Sequence, residues 1–243
     1  MEEFNQNKFS NRSFETIGTI KGILVSPAET YGGQHKIISE IKAQGEHLDF
    51  YQIQMTSFEG VRGFENVYSI SPIDSRDKYS LSYRNCTGMV FSGIDKNTGE
   101  KISFITHQNP HEVSRRGATA DKFIQDLSLT IEELIEKSKP NSVNGLGFGG
   151  NNPHGGGFEE MGFEDYINSV ELIGEVCKKK LGFEIPMRTG PATTPNPKGN
   201  WDTDVFFRNG NGELYIVREK SKNPSLDEQY LPSQIWEQVE KWG

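Results

Sequence analysis

Positive charge, cysteine and long apolar runs are all scarce in this chain, and each scarcity removes a class of protein. Against 34 acidic residues stand 26 Lys and Arg, which leaves a net charge of -8. A chain of that sign carries no electrostatic footprint for nucleic acid. The run Lys178, Lys179, Lys180 falls at the end of an expected helix, where the dipole favours cations. No nucleic-acid partner is expected. No apolar run approaches the roughly 20 residues that span a bilayer, so no membrane partner is expected either. The opening residues, Met1-Glu-Glu-Phe-Asn-Gln-Asn, lack the apolar core of a secretory leader. A cytoplasmic location is the default expectation, and export as an effector by a signal-free route is the alternative. Two cysteines, Cys86 and Cys177, are too few for a disulfide framework.

What the chain does have is aromatic bulk. Only 33% of the residues are strongly apolar, but 11% are aromatic and 15 are Phe, which excludes a disordered chain. With 243 residues and no internal repeat or clear linker, a single domain is expected. Residues 1–70 read as an extension integrated with the fold, 77–220 as the core and 221–243 as a tail.

Periodicity gives the elements. One strand or two, bent at Gly18 and Gly22, are expected over Thr16–Pro27, and further strands at Leu48–Met55, Val67–Ile73, Tyr79–Tyr83, Thr87–Gly93 and Lys101–His107. Asp95-Lys-Asn-Thr-Gly99 has the composition of a hairpin turn. Two amphipathic helices are expected. Thr119–Lys137 carries the stripe Phe123, Ile124, Leu127, Ile131, Leu134 and Ile135, and Phe163–Leu181 is stopped by Gly182. Shorter helices are expected at Gln34–Ala43 and Ser233–Trp242. Further strands are expected at Ser142–Phe148, Phe183–Met187, Asp204–Asn209 and Glu213–Val217. Tyr79, Tyr83 and Phe91 are expected in the core of the resulting sandwich.

The chemistry begins at Cys86. A lone cysteine is most often a small buried hydrophobe, and Cys177, within VELIGEVCKKK, is read that way. Cys86 differs because it follows a polar break, Arg84-Asn85, between two apolar strand halves. The hairpin through Asp95–Gly99 then returns His107 to the level of Cys86, within one or two residues of register. An imidazole beside a thiol can deprotonate it, and an imidazolium there lowers the thiol pKa. A third group must orient the ring. Ser80, on the preceding strand, is the candidate, with its hydroxyl accepting a ring N–H. The amides at Asn85–Cys86 are candidates for an oxyanion hole.

With these residues in view, positions 77–220 resemble the CheD chemoreceptor glutamine deamidases and the related catalytic domains of cytotoxic necrotizing factor and similar bacterial toxins. The resemblance runs through Tyr79-Ser-Leu-Ser-Tyr-Arg-Asn-Cys86-Thr-Gly-Met-Val, the turn with Asp95, the strand Ile102–Thr106 and His107. It continues through helix 119–137, Phe148-Gly149-Gly150, a helix containing Tyr166-Ile167-Asn168, Phe183–Met187, Thr189-Gly190 and the hairpin 204–217. It implies an α+β fold of two packed β-sheets flanked by helices, an α/β/β/α sandwich with the Cys–His pair at its edge. It implies Cys86 as nucleophile, His107 as base and Ser80, where the family has a Thr, as the hydroxyl six positions before the cysteine. Arg84-Asn85 stand where the family has small residues, and the hairpin is a few residues longer than in the chemotaxis enzymes. The implied reaction converts glutamine to glutamate on a target protein, releases ammonia and uses no cofactor. A non-catalytic CheD-like protein-binding module, or another Cys–His amide hydrolase or transglutaminase, are the alternatives. The sequence names neither the target nor the oligomeric state.

Rival signals are weaker. Gly145-Leu-Gly147-Phe-Gly149-Gly150 matches a dinucleotide fingerprint, but Asn151-Asn-Pro153-His-Gly-Gly-Gly157 cannot open the required helix. His107 and His111 have i,i+4 spacing, but Pro110 argues against one helix carrying both, so neither they nor His154 are read as zinc ligands. Arg115-Arg116 are read as solvent-facing.

Overall fold

In the computed structural model the described residues are 18–25, 30–31, 34–35, 50–53, 56–57, 66–80, 83, 86–114, 118–149, 162–188, 203–219 and 239–242. The first strands are β1 (Gly18–Val25), β2 (Thr30–Tyr31), β3 (Gln34–His35), β4 (Phe50–Ile53), β5 (Thr56–Ser57) and β6 (Asn66–Ile70). Then follow β7 (Asp77–Ser80), β8 (Thr87–Ile94), β9 (Lys101–Gln108), α1 (Pro110–Ser114), α2 (Ala118–Lys137) and β10 (Asn144–Gly149). The remainder is α3 (Gly162–Leu181), β11 (Met187–Arg188), β12 (Thr203–Arg208), β13 (Glu213–Glu219) and β14 (Val239–Trp242).

The fold is α+β, with two packed six-stranded sheets. Sheet I has the order β14-β1-β13-β12-β7-β4, and sheet II the order β11-β10-β8-β9-β6-β5. Strand β8 (TGMVFSGI) is nearly all buried because both its faces are covered. On one face Val90, with Ile105, Leu146 and Phe148, meets Val205, Phe207, Leu214 and Ile216 of sheet I. On the other face Met89, Phe91 and Phe104 pack beneath Phe123, Leu127, Ile131 and Leu134 of α2 and Ile173 and Cys177 of α3. The α2 stripe is narrower than the sequence pattern predicts: Ile124 is only half-buried and Ile135 is exposed. Tyr79, Tyr83 and Phe91 are all buried, as expected: Tyr83 lies between the sheets, Phe91 on the helix side, and Tyr79 alternates to the other face of sheet I.

Gly182 (φ +79°) ends α3 through an N–H bond to Lys178, as its position predicts. Three expectations change. Ser233–Trp242 was expected as a helix, yet 239–242 form β14, antiparallel to β1. Pairing across an otherwise open sheet edge outweighs the weak local helical pattern there. The strand expected at Phe183–Met187 is displaced to β11, because Phe183 and Ile185 are used in the helix-side core. β1 starts at Gly18 and runs through Gly22 as a single strand paired with β13, one of the two forms expected there. Of the helix expected at Gln34–Ala43, Gln34–His35 form β3 and the rest lies outside the described residues. Among the described residues, no helix is long and apolar enough to cross a membrane.

Candidate active site

The β8–β9 hairpin sets the geometry. Asp95 caps its turn by accepting N–H bonds from Asn97 (2.7 Å) and Thr98 (2.9 Å), and Gly99 takes the positive φ that the turn requires. The turn is docked on the end of α2 by bonds from the Lys96 amide to the Lys137 carbonyl and from the Lys139 amide to the Ile94 carbonyl. Held there, the hairpin pairs Thr87 with Gln108 and Val90 with Ile105. The hairpin centre therefore lies one residue later than the midpoint of Cys86 and His107. His107 stands at the level of Gly88, two residues from Cys86. An even displacement preserves the face: Cys86 and His107 lie diagonally on the side of sheet II that faces sheet I. Cys86 packs against the apolar cluster of that layer.

Ser80 reaches the same place from sheet I. Its Oγ lies 2.9 Å from His107 Nδ1, a buried hydrogen bond that ties the sheets together. Val205, its cross-strand partner, fills the layer beside it.

Tyr83 completes the cluster and is the residue that sequence reasoning had placed only in the core. Its ring stacks on His107 at 3.8 Å between centroids and 16° between planes. Its hydroxyl donates to the Thr106 carbonyl at 2.8 Å. That carbonyl is open to it because the ladder is broken here. The Met89 amide donates to Thr106 Oγ1 (3.0 Å), and Thr106 Oγ1 donates to Gln108 Oε1 (2.7 Å). Irregular pairing of this kind re-aims side chains beside functional sites. Phe148 closes the layer, edge-on to Tyr83 at 5.3 Å. The available signal in the sequence was position: Tyr83 follows Ser80 on the incoming segment, three residues before Cys86.

The site is dry. Burial pushes the Cys86 thiol up to about 12 and the His107 imidazole down to about 3. The expectation that an imidazolium lowers the thiol pKa therefore does not describe the resting site. Desolvation keeps the imidazole neutral, so the ring carries no positive charge to do so. His107 Nε2 is buried without a hydrogen-bond partner among the described residues. The resting pair is a neutral thiol and a neutral imidazole, with one ring nitrogen oriented and the other open.

Cys177 is fully buried beside the Met89 sulfur at 4.0 Å, in the helix-side core. Neither cysteine forms a disulfide. α1 starts at Pro110, which the first turn of a helix accepts, so His107 on β9 and His111 on α1 share no helix. Asn85, Arg84, Arg115-Arg116 and His154 lie outside the described residues, as does the loop after Gly149. Among the described residues no group of three His, Cys, Asp or Glu side chains is arranged to hold a metal ion.

The fold is an α+β two-sheet protein in which Ser80 and His107 are bonded across the inter-sheet layer and Cys86 packs against the apolar cluster of the same layer, with no hydrogen bond between Cys86 and His107 Nε2. No model of a known family matches the chain, and no curated protein matches it.

Proposed function

We propose that the protein is a cysteine-dependent glutamine deamidase acting on a target protein. The observation that carries this reading is the buried 2.9 Å bond between Ser80 Oγ and His107 Nδ1, which orients an imidazole whose Nε2 is open on the sheet face it shares with Cys86. The motif order across residues 77–220, with its resemblance to the CheD enzymes, supports the choice of glutamine as substrate.

The chemistry follows from the neutral pair. As Cys86 Sγ attacks the glutamine carboxamide carbon, its proton passes to His107 Nε2. His107 returns that proton to the nitrogen as the C–N bond breaks and ammonia leaves. Water then attacks the thioester, losing one proton to His107, and the C–S bond breaks to give glutamate and the restored thiol. No cofactor enters. A thiol held neutral by burial is weakly nucleophilic, so proton transfer accompanies attack and does not precede it.

The same desolvation favours a second reading, a CheD-like module that binds a partner protein without turnover. One experiment separates the two. Cell extract is incubated with the protein or with Cys86→Ala, and Gln-to-Glu conversions are sought by mass spectrometry together with released ammonia. Conversions that need Cys86 and His107 are expected. A wild-type profile identical to that of Cys86→Ala would leave the binding module, and crosslinked products would indicate transglutamination.

A further inference from the structure

The pairing of β8 with β9 passes from Thr87–Gln108 to Val90–Ile105, and one side chain explains the irregular step between them. Alternate residues of an antiparallel strand turn their amide and carbonyl to opposite neighbours. Ile105 turns both toward Ser71, whose amide donates to the Ile105 carbonyl (2.9 Å) and whose Oγ accepts the Ile105 N–H (3.0 Å). Thr106 therefore turns its carbonyl toward β8, where a regular ladder would give it the Met89 amide. That amide goes instead to Thr106 Oγ1 (3.0 Å), whose own proton goes to Gln108 Oε1 (2.7 Å). The carbonyl is left leaning over Gly88, where a Cβ pointing to the inter-sheet face would lie 2.7 Å from it. There it accepts the Tyr83 hydroxyl (2.8 Å), and the Tyr83 ring lies flat against His107.

We propose that Thr106 is a positioning residue for His107: its hydroxyl takes the Met89 amide in place of its carbonyl, and the carbonyl so released anchors Tyr83 with its ring against the imidazole. Thr106, Gln108 and Tyr83 are all fully buried. A buried phenol deprived of its acceptor carries the full cost of its desolvation, which holds the Tyr83 oxygen to the carbonyl. The ring is then fixed by its hydroxyl and by Phe148, which packs edge-on to it at 5.3 Å. Valine has the shape of threonine without the hydroxyl. With Val at 106 the Met89 amide has the carbonyl to return to, and Tyr83 loses its acceptor.

The anchoring rests on these contacts alone, and its catalytic use rests on the deamidase reading. In that reaction His107 takes the Cys86 proton and becomes a cation inside a dry layer, where charge is costly. The π-face of Tyr83, 3.8 Å from the imidazole and within 16° of parallel, attracts that cation. The attraction grows only as the ring gains its proton, so it acts on the chemical step and not on substrate binding. Loosening the stack is expected to lower kcat about twofold to thirtyfold, the range of a cation–π contact, with KM unchanged.

The test is NMR of the ring C–H groups in histidine-labelled full-length protein, with the His107 signals assigned from the His107→Gln spectrum. An aromatic ring stacked on the imidazole shields those protons, so the wild-type signals are expected upfield of an ordinary histidine, and Tyr83→Leu is expected to return them. Thr106→Val and Tyr83→Phe cut the same bond from its two ends, and each is expected to move the signals part of the way. Thr106→Ser keeps the hydroxyl and is expected to keep the wild-type positions. The double variant Thr106→Val/Tyr83→Phe is expected to go no further than the larger single change, because the two residues form one device. Wild-type positions in either Thr106→Val or Tyr83→Phe overturn the proposal, and so does a double variant whose shift is the sum of the two. Each single variant can therefore decide the matter if the other does not fold. The outcomes separate from those of the proposed function. Coupled shifts in a protein that releases no ammonia sink the deamidase and keep the anchoring. Ammonia release with additive shifts does the reverse.

Discussion

Gly88 has no side chain because Phe148 already occupies the space one would fill. A Cβ at Gly88 would lie 2.4 Å from Phe148 Cε2 and 2.7 Å from the Thr106 carbonyl, the acceptor of Tyr83. Gly145 is its counterpart on the helix side, where a Cβ would lie 2.4 Å from Phe91 Cε1. Both Gly→Ala changes overpack and are expected to cost about 1–3 kcal/mol in urea unfolding. Only Gly88→Ala is expected to move the His107 ring signals, since only it presses on the Phe148–Tyr83–His107 stack. Equal spectral effects of the two would mean that the stack is not a separable unit. At the same scale, Cys86 is expected to alkylate slowly near neutrality, with a rate that rises only above the ordinary thiol pKa. Iodoacetamide kinetics in a Cys177→Ala background check this, and a fast reaction with an apparent pKa below about 8.5 would contradict the dry neutral pair.

Among the elements, the hairpin was the most legible in the sequence. Asp95-Lys-Asn-Thr-Gly99 is turn chemistry, and the flanking runs are strand-like, so His107 could be returned to the Cys86 neighbourhood from spacing alone. The two-residue offset was not legible, because it is set by where α2 holds the turn, through the bonds at Lys96 and Lys139. Ser80 could be named as a partner, but its approach from the opposite sheet could not, since β7 belongs with β12 and β4 and not with β8. Tyr83 lies in the core, as its aromatic bulk predicts, but burial explains an aromatic residue so readily that nothing in the sequence points to its hydroxyl's bond to the Thr106 carbonyl. Lys78 shows the same blindness. Strand alternation puts it on the inner face beside Ser80, where a cation has no obvious place, yet it is fully buried. Its ammonium bonds Asp74 Oδ1 (3.0 Å), the Arg76 carbonyl (2.9 Å) and Ser103 Oγ of β9 (3.1 Å). It is a second polar tie between the sheets, two residues from the Ser80–His107 tie. Lys78→Met would remove the donor to Ser103 Oγ and to the Arg76 carbonyl, while half-exposed Asp74 keeps its bond from Arg76 (2.9 Å), at a cost of about 1–3 kcal/mol. Urea midpoints measure it, and a neutral result would mean that the acceptors find other donors.

For the whole molecule, the burial that shapes the site also bears on the pH range in which the fold is stable. His107 titrates near 3 when folded but near its ordinary 6.5 when unfolded. Between those values the unfolded chain binds a proton that the native state refuses. Stability is therefore full above about 6.5 and falls as the pH drops, by about 1.4 kcal/mol per unit. The thiols act in the opposite direction. Cys86 and Cys177 are both pushed up to about 12 from 9.0, so above about 9 the unfolded chain releases protons that the folded chain keeps. Each thiol then costs about 1.4 kcal/mol per pH unit on the alkaline side. Burial raises the Tyr68 and Tyr83 hydroxyls as well, and both steepen that limb above 10. Maximum stability is expected between about pH 6.5 and 9, measured as urea midpoints across that range and beyond it. His107→Gln is expected to flatten the acid limb between 6.5 and 4 while leaving the alkaline limb in place, and Cys86→Ala to do the converse in part. If the acid limb survives in His107→Gln, the imidazole is not the group being refused its proton. The site must then be wetter in solution than its burial between the sheets implies, and a thiol and imidazole free to form an ion pair would become the resting state to explain.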